Sequence, residues 1–220
     1  MKRLFSLSLI VVIVGTLSAQ TLSSLKIPTI PRQMFWQNSP KVCTMKGGIL
    51  TITAGEKTDL FRDPSQTYNV SNAPQLLFKA DENFVFTAAV EHPFTTKWDA
   101  GGLVLSADSL NWVKFGFEKD YTGAHRIVSV VTKGLSDDAN GLEIDGTQTW
   151  LRIAKAGNAV MLYQSNNGKK WFLIRHIFFE AKKGANIGFI AQSPEGKSNT
   201  VKFSDIKYES RKIADPYSGE

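Results

Sequence analysis

An all-β fold of two packed antiparallel sheets is what this chain predicts, and three observations carry the prediction. Ten short runs alternate apolar and polar residues. Turn-forming Gly, Asn, Asp and Pro separate them, and no long segment repeats with the helical period. Such spacing is the pattern of a sandwich, whose strands each bury one face and show the other.

The elements follow in order. The chain opens MKRLFSLSLIVVIVGTLSAQ, two basic residues before an apolar run and then small residues at Ser18 and Ala19. That order predicts a secretory signal peptide over 1–19, cleaved near Ala19. The run is too short for a membrane span of about 20 residues, and no second apolar run follows. The expectation is a secreted or periplasmic protein with no membrane insertion after cleavage. Residues 20–33, with two prolines and little periodicity, read as a linker. A single domain is expected over 34–209, and a tail over 210–220 that hangs free.

Within the domain the runs are GILTITA, FVFTAAVEH, GLVLSA, NWVKFGFEK, RIVSVVTKG, TWLRIAKAG, AVMLYQS, WFLIRHIFF, NIGFIAQS and TVKFSDIKYE. SNNGKKW joins two of them through Asn167-Gly168, a pair that supplies the positive φ angles of a tight hairpin. KKG at 182–184 and GKSN at 196–199 are further turns.

Composition narrows the function. Losing Lys2 and Arg3 with the signal lowers the formal charge of +6 by two, and the remaining cations are scattered. No nucleic-acid partner is expected. Cys43 is the only cysteine, so an internal disulfide is excluded and a buried apolar role is expected. His92, His125 and His176 lack metal-ligand spacing, and the first two read as surface residues. No nucleophile elbow or phosphate loop occurs, and no cofactor is required. Asp59, Asp63, Asp99, Asp137 and Asp138 are candidate oxygen ligands for a structural calcium, against the commoner reading as turn formers.

The stretch Asn111–Lys119 is the most informative. With a period of two, Val113, Phe115 and Phe117 take the core side. Trp112, Lys114, Gly116 and Glu118 take the other: an aromatic, a cation, a gap and an anion. An aromatic beside a few placed polar groups is what a sugar-binding face needs. Thr132 or Ser129, Arg152 and Tyr163 are candidate additions from neighbouring strands, and Trp98, Asp99 and Asp59 from loops. The plainer alternative is a solvated face carrying a weak Lys114–Glu118 pair.

Eight words occur in order: FWQNSP, TDLFRDP, WDAGGLVL, NWVKFGFEK, SVVTKGLSDD, WLRIAK, YQSNNGKKW and GFIAQSPEG. As a set they resemble the bacterial family catalogued as domain of unknown function 1349, or regulation-of-enolase-like, over about Met34 to Tyr208. The resemblance implies a concanavalin A-like jelly roll with a concave face on which relatives bind sugars. The chain departs from that pattern at Ala100 (usually glutamine), Asp138 (usually tryptophan) and Asn167 (usually aspartate), each change removing a possible ligand contact.

Sandwich glucanases carry a Glu-apolar-Asp-x-x-Glu word, and Glu143-Ile144-Asp145-Gly146-Thr147-Gln148 approaches it but ends in a glutamine, which cannot serve as the acid. The expectation is therefore an exported non-catalytic protein binding a glycan or oligosaccharide. Its alternatives are a glycan hydrolase or lyase pairing Glu118 with Asp99 or Asp59, and a structural envelope protein without a sugar ligand. Oligomeric state is not legible.

Overall fold

A computed structural model describes residues 25–220. Among these there is no helix, and the strands form two seven-stranded antiparallel sheets and a small hairpin. The first sheet is ordered β1 (Met34–Gln37), β6 (Gln75–Lys79), β15 (Asn186–Gln192), β8 (Ala100–Ser106), β9 (Asn111–Lys119), β10 (His125–Lys133), β11 (Leu135–Glu143). The second runs β14 (Phe172–Phe178), β13 (Ala159–Ser165), β12 (Gln148–Ala156), β7 (Phe84–Glu91), β16 (Ser198–Glu209), β3 (Ile49–Gly55), β2 (Val42–Lys46). β4 (Leu60–Arg62) and β5 (Asn69–Ser71) pair only with each other.

The alternation read from the sequence is the alternation of the sandwich. Val113, Phe115 and Phe117 of β9 are fully buried between the sheets with Phe86, Phe189 and Phe203. Phe189 meets Phe86 edge-on at 5.2 Å and Phe203 at 4.8 Å, arrangements that add to the burial of the rings. The Gly-Gly of WDAGGLVL permits close approach. A Cβ on Gly101 would lie 2.3 Å from Val201 of the opposite sheet, and one on Gly102 would lie 2.2 Å from the Phe115 carbonyl of β9.

Several expectations are corrected. β1, β2, β4, β5, β6 and β11 were not among the ten runs, because they are short or carry mixed polar residues. The connection from β13 to β14 is six residues long, and only Gly168 has a positive φ, +69°. A two-residue turn with both central residues at positive φ is therefore not formed. Instead the Asn167 side chain accepts from the Lys169 and Lys170 amides, and Gly168 lies against the Trp150 ring.

The described part of the expected linker packs on the domain: Leu25, Ile27 and Ile30 are buried in the main core, and Thr29 donates to the Ile206 carbonyl at 2.8 Å. The C-terminal segment does not hang free either. Ile213 joins an apolar cluster on the outer face of the second sheet, and Tyr163 donates to the Pro216 carbonyl at 2.6 Å. Both segments carry apolar residues that find a sheet face, a gain their sequence irregularity hides. The predicted signal peptide lies outside the described residues.

His92 is not a surface residue. It is 3% exposed, and its Nε2 donates to the Phe117 carbonyl at 2.9 Å. Phe94 lies between the imidazoles of His92 and His125, with ring centroids 3.7 and 3.8 Å away. Burial pushes the His92 pKa down to about 4, since an imidazolium loses hydration there. Cys43 is half-buried on β2, and burial raises its thiol to about 11.

Candidate ligand-binding site

The outer face of the first sheet is partly roofed. β4 and β5 lie over it, and Leu60, Ala73 and Phe61 pack down on Leu77, Val104, Trp112, Val128, Val130 and Ile190. The roof is fastened at the far end of the sheet. The Arg62 amide donates to Ser136 Oγ at 3.0 Å, and Ser136 Oγ meets Thr132 Oγ1 at 2.8 Å. Arg62 Nε donates to the Gly134 carbonyl at 2.5 Å.

Beside this roof is a pocket of about 340 Å³ lined by Asp59, Phe61, Tyr68, Trp98, Lys114, Glu118, Val128, Val130, Asp138, Gln192, Pro194 and Glu195. This is the low end of the range for small-molecule sites. Its floor is β9 and β10. Lys114 and Glu118 project from β9 on the same side as Gly116, where an added Cβ would meet nothing closer than the Gly101 carbonyl at 3.8 Å. The opening above Gly116 is the gap expected from the alternation. Lys114 Nζ donates to Gln192 Oε1 at 3.0 Å and contacts Asp59 Oδ1 at 3.4 Å, both in buried surroundings. Asp59 Oδ1 also accepts from the Leu60 amide at 2.7 Å, so the start of β4 fixes that carboxylate.

The mouth is aromatic. Trp98 is half-exposed and adopts φ +68°, an unusual conformation for a large residue. Its amide donates to the Lys119 carbonyl at 2.7 Å and its carbonyl accepts from Gln192 Nε2 at 3.2 Å. Two anchors thus hold the strained residue, and its indole stands 6.4 Å from the exposed Tyr121 ring. Tyr68 lies on the roof side, its hydroxyl raised to about 12 by burial and then by the Asp59 charge.

Glu118 is the least settled group in the pocket. It is 6% exposed, and among the described residues nothing donates a hydrogen bond to it. Burial raises its pKa to about 8; Lys114 opposes that shift, while Asp138, Asp59 and Asp120 add to it. Asp138, exposed at the rim, is also raised, first by partial removal from water. Asp120, which accepts from Arg126 Nε at 2.6 Å and from Thr122, is held down at about 2 by those bonds against the opposing effect of burial.

Of the sequence-predicted site residues, Asp59, Trp98, Lys114 and Glu118 meet in this pocket. Four do not. Trp112 is 2% exposed and packs beneath the roof, so it offers no stacking platform. Asp99 is fully buried, accepting from Ser193 Oγ at 2.8 Å and the Thr96 amide at 2.9 Å. Thr132 is fully buried and fastens the roof through Ser136.

Arg152 belongs to the other sheet, where its guanidinium stacks 3.8 Å over Trp171 and donates to the Gly219 carbonyl. Tyr163 shares that second-sheet face, and Ser129 contacts Arg175 of β14. Asp138 reverses an expectation, since the departure from tryptophan places a carboxyl at the pocket rim. Gln192, Pro194 and Glu195 were also missed as site residues, although they stand together in the GFIAQSPEG word, as Phe61 does in TDLFRDP.

Among the described residues no three His, Cys, Asp or Glu side chains group as metal ligands. Asp63 instead caps Thr67 and Asp137 pairs with Arg175. Glu143 is exposed and pairs with Arg126 at 3.5 Å, so the glucanase-like word lies outside the pocket.

The family profile described as protein of unknown function (DUF1349) matches residues 36–211. The chain belongs to this family. It is 26% identical over 171 residues to the Saccharomyces cerevisiae protein named Regulation of enolase protein 1, covering 77% of this chain and 86% of that one. A crystal structure of a functionally unknown protein from Saccharomyces cerevisiae superposes with a TM-score of 0.76 at 25% identity, covering 81% of this chain and 97% of that one. A xylan β-1,4-xylosidase from Bacillus halodurans matches with a TM-score of 0.63 at 14% identity, over 76% of this chain and only 34% of the enzyme. That likeness establishes the jelly-roll sandwich shared with one part of a glycosidase, and the fold alone.

Proposed function

We propose that this protein is exported and binds a saccharide, without cleaving it, in the pocket between the β4–β5 roof and the loop after β15. The observation that carries the reading is the composition of the pocket. A half-exposed tryptophan stands at its mouth, apolar valines lie on its floor, and Lys114, Gln192, Asp59 and Glu118 converge within it. Aromatic faces stack on the apolar faces of sugar rings, while fixed polar groups take the hydroxyls. Export rests on the basic–apolar–small order of the first 19 residues.

A cleaving enzyme is the second reading, and one observation favours it: Glu118 is a carboxyl tuned upward, as a general acid would be. Its partners count against it. Asp99 is spent on Ser193 and Thr96, and Asp59 is tied to Lys114. A retaining or inverting mechanism needs a second carboxylate free to attack or to activate water, and the other pocket carboxyl left without an ion pair among the described residues is Asp138, out at the rim.

The test is glycan-array screening followed by calorimetry on the chain from Gln20. Binding in the millimolar to micromolar range, roughly −4 to −8 kcal/mol, is expected, with no release of reducing sugar on prolonged incubation. Trp98→Ala should weaken it at least tenfold, and Gly116→Leu, which fills the floor, should abolish it. Binding untouched by both substitutions would place the site elsewhere.

A further inference from the structure

We propose that Glu118 sets the ligand class of this pocket: it meets the ligand as an uncharged carboxylic acid, donates its proton to a sugar oxygen, and so confines the site to uncharged sugars and rejects uronates. The inference rests on the saccharide reading above and specifies which saccharides.

The surroundings of Glu118 decide its form. On its own strand Lys114 shares the face of Glu118 and is already engaged by Asp59 and Gln192, while Lys119 donates to the Phe94 and Thr95 carbonyls. From β10 come Val128 and Val130, which carry no charge, and Arg126, the cross-strand neighbour of Glu118. Arg126 turns its guanidinium to Asp120 at 2.6 Å and Glu143 at 3.5 Å instead. β11 contributes Asp138, the start of β4 contributes Asp59, and the turn after β9 contributes Asp120, all acidic. From the roof comes Tyr68; from the loop after β15 comes Glu195, whose carboxylate pairs with Lys97 at 3.2 Å.

A buried carboxyl with no hydrogen-bond donor and several acidic neighbours keeps its proton. In that form it has one O–H to give, and no hydrogen bond to the protein engages it among the described residues. The ligand is the receiver. The rise of the Glu118 pKa to about 8 agrees with this.

A uronate would bring a further carboxylate among Asp59, Asp138 and Glu195, with the Lys114 ammonium of the pocket already paired. Burying that charge without a free partner is unfavourable. A neutral hydroxyl or ring oxygen accepts the Glu118 proton at no such penalty.

The experiment has two arms. In the first, the carboxyl carbon of Glu118 is titrated by NMR in the free protein, with Glu118→Gln used for assignment. In the second, calorimetry at pH 7 and pH 9 compares neutral cello-, xylo-, manno- and malto-oligosaccharides with oligogalacturonates. The carboxyl should titrate near 8, and affinity for a neutral oligosaccharide should fall about tenfold from pH 7 to pH 9 as the proton is lost. Glu118→Gln keeps an N–H donor that does not titrate, so its binding should show no such fall and should exceed that of wild type at pH 9 about tenfold. Glu118→Ala should be weak at both pH values.

Titration of the carboxyl below pH 5, or equal affinity for uronates and neutral sugars at pH 7, would overturn the inference and leave the saccharide reading standing. A carboxyl titrating near 8 with no saccharide bound at either pH would overturn the saccharide reading, and this inference with it.

Discussion

Glu118→Gln should change how stability depends on pH, whatever the ligand. The substitution keeps the shape of the side chain and removes its proton equilibrium. In wild type the folded carboxyl is raised from 4.5 to about 8, so between those values the folded chain holds a proton that the unfolded chain has released. Stability therefore falls as pH rises through this window. Each pKa unit corresponds to about 1.4 kcal/mol. Integrated between pH 5 and pH 9, the wild type should lose about 4 kcal/mol that the glutamine variant does not. Asp138 is raised as well, but it is present in both proteins and drops out of the difference. Urea denaturation at the two pH values, with two-state fits and equal slopes, measures the gap directly. A gap between variant and wild type that stays constant within about 1 kcal/mol would show that Glu118 is ionised in the fold, and the account of the pocket floor would be wrong.

Two other outcomes follow from buried groups. Trp112→Ala should cost roughly 3–5 kcal/mol in chemical denaturation, as for other buried aromatic truncations, because the ring lies under the β4–β5 roof; a cost below about 1 kcal/mol would mean that the roof stands open. His92, held neutral with its pKa lowered from 6.5 to about 4, should contribute roughly 3 kcal/mol that is present above pH 6.5 and lost as pH falls to 4. His92→Phe should remove that slope even if it lowers absolute stability, and an unchanged slope in denaturant midpoints between pH 7 and pH 4 would refute the assignment.

The site was half legible before the fold was known, and β9 shows why. A period of two tells which side chains share a face, so Lys114, Gly116 and Glu118 could be placed together and opposite Val113, Phe115 and Phe117. It does not tell what lies over that face. Two three-residue strands, too short to leave a periodic signal, cross the outer side of the sheet and close over Trp112 while leaving Glu118 at a pocket. The same limit misplaced Arg152. Its strand alternates as β9 does, but pairs with β7 in the other sheet, and pairing partners distant in sequence leave no trace in a single chain's pattern.

The sequence by itself determined the fold class and the core face of β9, because these depend on local alternation and turn chemistry that each segment carries alone, and its eight ordered words pointed to the family. Only the tertiary structure decided the chemistry of the site. Glu118 reads as an anion in the sequence and stands as a neutral acid in the fold, because burial and the arrival of Asp59, Asp120 and Asp138 around it determine where its proton rests. Its distance from water and from other charges is a property of the assembled sheets, not of the strand that bears it.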